Sequence, residues 1–535
     1  MYTFLILPLA LLLGGAIASL LLARYRPRFS ADTAGISAVF ALIVWLLAFR
    51  DLPLVVSEDI NQPPSGGTMW RLAVDESAWL VSFAVLILLT ASLLIMISAN
   101  RYFQGEGWSS LRRRSTPSAC LLLAVGVLLS IWTVSLPAVA TSWTLIAGSW
   151  VLLEWAARKD RHDSRETITR TGVMLLSLLF LGLAMASQPS LTDLVRGPES
   201  LSASARVWSM LAAIAMLGAF PLNWWRPVKG RFVPGSVALV NLAPSAAGAF
   251  LLSRLASNGV DGGNTYTLLL TVFGLLGLIY SIGISWSNLD KSRVVLGAIV
   301  MALTSLILLA GAWSNATTVS MMNQVLVLGA GVIYLGVNWQ GRLSTLYKLP
   351  VWIGVAAIAG IPLTAGFLGL SSLYQGQISE SQLILAIVTA VAMMPVLAAS
   401  LLLVREASND GEPLELSRTG QARLLFAFSL PALGLILLPG SLDVGGDLIN
   451  WILILVSILG ALAISWYAIK ASDFTDAISG AFHLKIPLQK GIQILNPIAT
   501  ATGAFIREAA AILEGEGGML WLLLLAVILW LARVV

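Results

Sequence analysis

Apolar residues run through this chain in blocks of roughly 17 to 25, separated by short polar stretches. That is the length a helix needs to cross the hydrocarbon core of a bilayer. The blocks fall near 3–23, 33–49, 77–99, 117–135, 138–157, 171–188, 206–225, 236–256, 265–286, 294–312, 319–339, 349–374, 381–404, 422–440, 447–469 and 518–535. Backbone groups in lipid must be satisfied within the chain, so such blocks are helices or barrel strands. They are too long and too continuous for barrel strands, which alternate over about ten residues. The pattern predicts an all-α polytopic membrane protein of about sixteen transmembrane helices. Blocks four and five are joined only by a Leu136-Pro137 hinge and should form a tight hairpin. The twelfth is interrupted by Gly360-Ile361-Pro362 and by Gly366.

The stretch 471–517 departs from this pattern. Lys485, Lys490, Arg507 and Glu508 are mixed with Ile486, Leu488, Ile492, Leu495, Ile498, Phe505 and Ile506. It is too polar to span and amphipathic enough to lie at the interface. Pro487 and Pro497 predict short helical pieces, because proline removes a backbone donor and crowds the preceding turn. The segment reads either as a connector on the membrane surface or as a strap on a neighbouring subunit.

Composition supports the membrane class: 58% of residues are hydrophobic and 11% charged, against about 25% charged in soluble domains. The net charge of +5 reflects topology rather than a nucleic-acid footprint. Loops after odd-numbered blocks hold 22 arginines and lysines up to block fourteen, and the opposite side holds 5. The positive-inside rule then predicts an amino terminus outside and the arginine-rich loops in the cytoplasm. The first block is followed by Arg24, Arg26 and Arg28, the reverse of a cleaved signal peptide, so it reads as a retained helix. A single Cys120 rules out an internal disulfide, and two histidines, His162 and His483, give no basis for a metal or haem site. No nucleotide-binding loop or nucleophile–base pair stands out, so no catalytic, cofactor or metal residue is expected. Tryptophans near block ends, such as Trp79, Trp155 and Trp339, are expected as interface anchors.

Three segments carry a family likeness. Gly218-Ala219-Phe220-Pro221-Leu222-Asn223-Trp224-Trp225-Arg226-Pro227 resembles the broken seventh helix of the antiporter-like membrane subunits of complex I and of Mrp-type cation/proton antiporters. Ala359 to Gly369 is similar to their broken twelfth helix, with Leu363 in place of a second proline and with Gly360, Pro362 and Gly366 retained. Asp290-Lys291-Ser292-Arg293 resembles the family's entry to the tenth helix, with altered spacing. The resemblance implies two inverted five-helix repeats, 117–256 and 265–404, after an N-terminal unit 1–116 and before 422–535. It also implies a mid-membrane row of titratable residues, with Pro221 and Pro362 at corresponding breaks.

At the positions matched to that row, this chain carries Thr144, Met216, Val240 or Asn241, Asn323 and Leu370. Every one is neutral. Asn223 and Gln324 add further neutral polar groups to the expected axis, and Glu154 is the one possible entry charge, near the cytoplasmic end of block five. The layout resembles the distal subunit of the membrane arm. The expected function is an antiporter-like subunit of a complex I-like, redox-driven proton-translocating assembly, with the usual proton path lost. The expected partners are other membrane subunits and the bilayer of a bacterial plasma membrane or thylakoid, with no cofactor. The alternatives are a subunit of a cation/proton antiporter, of a membrane-bound hydrogenase or of an inorganic-carbon uptake complex.

Overall fold

The computed structural model describes residues 2–48, 52–55, 72–102, 115–157, 164–188, 201–223, 232–256, 265–339, 345–407, 418–437 and 448–470. The strap 471–517, the last block 518–535 and residues Trp224 to Pro227 of the first family string lie outside them.

The described chain is all-α apart from one antiparallel pair, β1 (Leu54–Val55) and β2 (Ala73–Val74), with Leu54 opposite Val74. The helices are α1 Tyr2–Tyr25, α2 Pro27–Leu47, α3 Glu76–Tyr102, α4 Thr116–Trp132, α5 Leu136–Ala157, α6 Ser164–Ala186, α7 Ala203–Leu217 and α8 Ser236–Ala256. Then follow α9 Thr265–Ser287, α10 Ser292–Trp313, α11 Ala316–Val337, the two pieces α12a Thr345–Ile358 and α12b Ala365–Ser379, α13 Leu383–Ala407, α14 Arg418–Leu437 and α15 Leu448–Lys470. Fifteen of the predicted blocks thus have a helical counterpart, and eleven described helices are long and apolar enough to cross a membrane. The hairpin of blocks four and five is present, but its turn is Thr133 to Ser135; Leu136 and Pro137 already belong to the first turn of α5. Proline fits there because the first helical N–H groups have no intrahelical partner anyway.

The interior is formed by α3, α4, α8, α10 and α11, which are buried along most of their length. Exposed large apolar residues line α1, α2, α9, α13, α14 and α15, among them Ile17, Ile279 and Leu459, as lipid- or partner-facing surfaces require. With lipid as solvent, helices associate through close packing and hydrogen bonds rather than through water exclusion. Small residues sit accordingly at the contacts. A Cβ on Gly15 of α1 would overlap Ser37 of α2, and one on Gly277 of α9 would overlap Ser305 of α10. Ser19 and Ser30 tie α1 to α2 by donating to each other's carbonyls, at 3.0 and 2.9 Å.

Candidate functional site

Two helices stop inside the bundle, and both stop in the same way. α7 has 15 residues, a rise of about 22 Å, which is short of the roughly 30 Å hydrocarbon core. It ends at Gly218, whose φ of 64° is left-handed. Gly218 N–H donates to Ala215 O at 3.1 Å and Ala219 N–H donates to Ile214 O at 3.2 Å. α12a ends at Gly360 with φ 72°, and its closing bonds are Gly360 N–H to Ala357 O at 3.1 Å and Ile361 N–H to Ala356 O at 2.9 Å. Both are the paired closing bonds of a Schellman cap, which needs a left-handed residue that glycine adopts without steric cost. A proline follows each cap, Pro221 in a cis peptide after Phe220 and Pro362 two residues after Gly360.

A second glycine backs each break. On α8, a Cβ at Gly248 would overlap the Leu217 amide at the end of α7. On α12b, a Cβ at Gly366 would overlap the Ala357 carbonyl oxygen at the end of α12a. Leu363, where the family pattern has proline, has φ 72°. Proline's ring fixes φ near −65°, so proline does not fit this backbone. A left-handed leucine itself carries a strain of about 1–2 kcal/mol.

A helix C-terminus carries the equivalent of about half a negative charge. Such ends at mid-bundle suit a cationic side chain, yet among the described residues those at the matched positions are all neutral. Met216, one residue before the last of α7, is fully buried. Leu370 folds back on the Gly360 cap, its Cδ1 lying 2.8 Å from where a Gly360 Cβ would be. Asn241 on α8 is fully buried, with its amide donating to Val237 O at 2.9 Å and Oδ1 unpartnered. Asn323 on α11 is fully buried and ties the two helices, donating to Ala246 O at 3.1 Å, again with Oδ1 unpartnered. The backbone is irregular at both asparagines. Pro244 leaves α8 without one N–H, and a π-turn over Val325–Gly329 follows Gln324 in α11. Such π-turns are frequent at functional sites. Asn223, in the turn after α7, donates to the Met301 sulfur at 3.2 Å.

Thr144 stands outside this row: it is exposed on α5, and its hydroxyl donates to Ala140 O of its own helix at 2.9 Å. Glu154 is buried in the last turn of α5 and is the only buried carboxylate among the described residues.

The arginine-poor end of α3, α4 and α8 is closed by a cluster that sequence reasoning did not find. Arg254, near the end of α8, donates to Ile131 O at 2.7 Å in the last turn of α4 and to Thr133 O just after it, and lies 4.8 Å from the centre of the Phe250 ring. Asp75, at the start of α3, adds a negative charge close by. A cation on C-terminal carbonyls meets both their unmet acceptor capacity and the helix dipole. Beside it, Trp132 stacks on Trp45 with centroids 4.6 Å apart and donates to Ser82 Oγ at 2.8 Å. Trp45 and Trp79 donate to each other's carbonyls at 3.2 and 2.9 Å. Trp79 and Trp339 are therefore buried packing elements rather than interface anchors, whereas Trp155 is exposed.

This fold is shared with chains of two membrane complexes. In the structure of the Mrp complex from Dietzia sp. DQ12-45-1b, the match has a TM-score of 0.68 at 17% identity and covers 99% of this chain and 62% of that one. In the membrane-bound sulfane sulfur reductase (MBS), an archaeal respiratory membrane complex, it has a TM-score of 0.63 at 16% identity and covers 86% of this chain and 98% of that one. This chain thus spans less than two thirds of the Mrp-complex chain. The likeness to antiporter-like subunits carried by the broken-helix strings is borne out at the level of fold. No protein-family model and no curated protein matches the sequence.

Proposed function

We propose that this chain is an antiporter-like membrane-arm subunit of a complex I-like, redox-driven proton-translocating assembly, and that it keeps the fold while lacking the usual titratable path. One observation carries the reading. Two half-helix ends are built by the same cap at the places where the resemblance implies an ion path, and the side chains at the matched positions are the buried Met216, Asn241, Asn323 and Leu370. Intramembrane charges are costly and are kept where they serve transport. Their replacement by packed neutral residues fits a subunit that fills a place in the arm and leaves conduction to its neighbours. The charge bias orients it with the amino terminus outside and the arginine-rich loops in the cytoplasm.

A second reading is favoured by the Mrp-complex match over 99% of this chain: a subunit of a cation/proton antiporter assembly without redox partners. Tagging the chain in its host and identifying what co-purifies at stoichiometric yield separates the two. Flavin, iron–sulfur and quinone-site subunits are expected. Recovery of small membrane subunits alone, or of one soluble zinc protein, overturns the redox reading in favour of an antiporter or a carbon-uptake complex.

The neutral row makes its own prediction. Asn241→Leu and Asn323→Leu should leave the number of ions moved per turnover unchanged in the intact assembly. Asn323→Leu should cost about 1 kcal/mol of stability, through the lost bond to Ala246 O. A lower stoichiometry in a stably assembled complex would show that the asparagines conduct.

A further inference from the structure

The arginine-rich end of the α4–α5 hairpin holds a second polar cluster, away from the asparagine row. Glu154 lies in the last turn of α5, and Trp150 lies one turn earlier on the same face. The Trp150 indole is fully buried and its Nε1–H has no acceptor. Trp45, Trp132 and Trp143 are equally buried, and each donates its indole N–H to a protein oxygen. Ser149, beside Trp150, is buried with its hydroxyl unpartnered.

The antiparallel register of the hairpin adds a fourth group. Trp143 of α5 donates to Ser130 of α4 at 2.8 Å, and Gly126 packs on Ile146. Carried to the far end, this register sets Thr116 opposite the last turn of α5. Thr116 is also buried, and its hydroxyl is also without a partner.

A buried donor left unmet costs about 1–3 kcal/mol, and the usual remedy in a roomy polar site is water held by two to four groups. Three unpartnered groups gathered at the same end of the hairpin as a buried carboxylate form such a set. An indole N–H disfavours a bare cation and favours a water oxygen. We propose that Thr116, Ser149, Trp150 and Glu154 bind water in a vestibule at the arginine-rich end of the hairpin, and that Glu154 exchanges protons with it. The carboxylate takes a proton from a hydronium ion, leaving water, and returns it to water by the same route. The vestibule is blind. Further along the hairpin the Trp143–Ser130 bond and the Trp45–Trp132 stack fill the bundle, so it loads and releases protons on one side only. This inference does not depend on which assembly the chain joins.

Radiolytic hydroxyl-radical labelling of the full chain in nanodiscs tests it, since radicals formed from bound water mark the side chains that touch it. Trp150 should be modified about tenfold faster than the equally buried Trp143. Equal rates overturn the water site. Proton exchange is read separately with a hydrophobic carbodiimide, which reacts with protonated carboxyls. Adduct formation at Glu154 should rise as the pH of the medium falls, and Trp150→Phe should change that dependence, since it keeps an aromatic ring but removes the indole N–H. No adduct at any pH, or a rate indifferent to pH, overturns the proton-exchange step.

Discussion

Gly366→Ala is expected to destabilise the protein by about 3 kcal/mol, the upper end of the usual cost of overpacking. The added methyl would overlap the Ala357 carbonyl oxygen, a backbone atom fixed by the cap that ends α12a. No flexible side chain is there to yield, so the two half-helices must separate. Gly14→Ala and Gly148→Ala are the matched controls. Neither would meet any atom within 4 Å, and each should gain up to about 1 kcal/mol from helix propensity. Thermal unfolding of the purified chain in one detergent compares all three. A Gly366→Ala protein as stable as wild type would mean that α12a and α12b are not in backbone contact.

Arg254→Met should cost a similar amount, about 3 kcal/mol. The Ile131 and Thr133 carbonyls lose their donors inside the bundle, and Asp75 loses a nearby positive charge. Methionine keeps much of the side-chain volume, so the loss isolates the charge and its hydrogen bonds. Arg254→Lys should fall between, since an ammonium lacks the planar fork that serves two carbonyls at once. Hydrogen exchange of the amides near Ile131 to Ser135 should speed up in both variants, because that is where the clamp holds α4. Unchanged exchange there, or a methionine variant as stable as wild type, would remove Arg254 from the list of fold determinants.

These two features mark what the chain's letters reveal and what they conceal. Both breaks were legible, because glycine followed by proline inside an apolar block has few other uses. The positions of fifteen helices were legible for the same reason that lipid permits little else. The direction of individual side chains was not. Thr144 follows a buried tryptophan, yet it faces outward, since one residue along a helix turns the side chain by 100°. Arg254 reads in sequence as one of five basic residues on the arginine-poor side, and nothing local says that its guanidinium reaches α4, more than 120 residues earlier. Trp79 and Trp339 sit at block ends, where headgroup anchoring is the ordinary reading, and only the packing of α2, α3 and α4 shows Trp79 turned inward. The water vestibule was half legible. Glu154 stands out by its charge and Trp150 precedes it by one turn, but the register that adds Thr116 comes from the three-dimensional hairpin.

The π-turn of α11 bears on how this chain should be compared with others. A turn that bonds i to i+5 holds one residue more than an α-turn does. The match of Asn323 to the family lysine counts eight residues back from Gly331, and that count runs through Val325–Gly329. It holds for relatives that share the extra residue. Against an uninterrupted helix, the equivalent position moves one place earlier, to Met322, which is buried and apolar. Helix face and sequence spacing then disagree by one residue, yet neither candidate can carry a proton, so the proposed lack of a titratable station there is the same under either alignment.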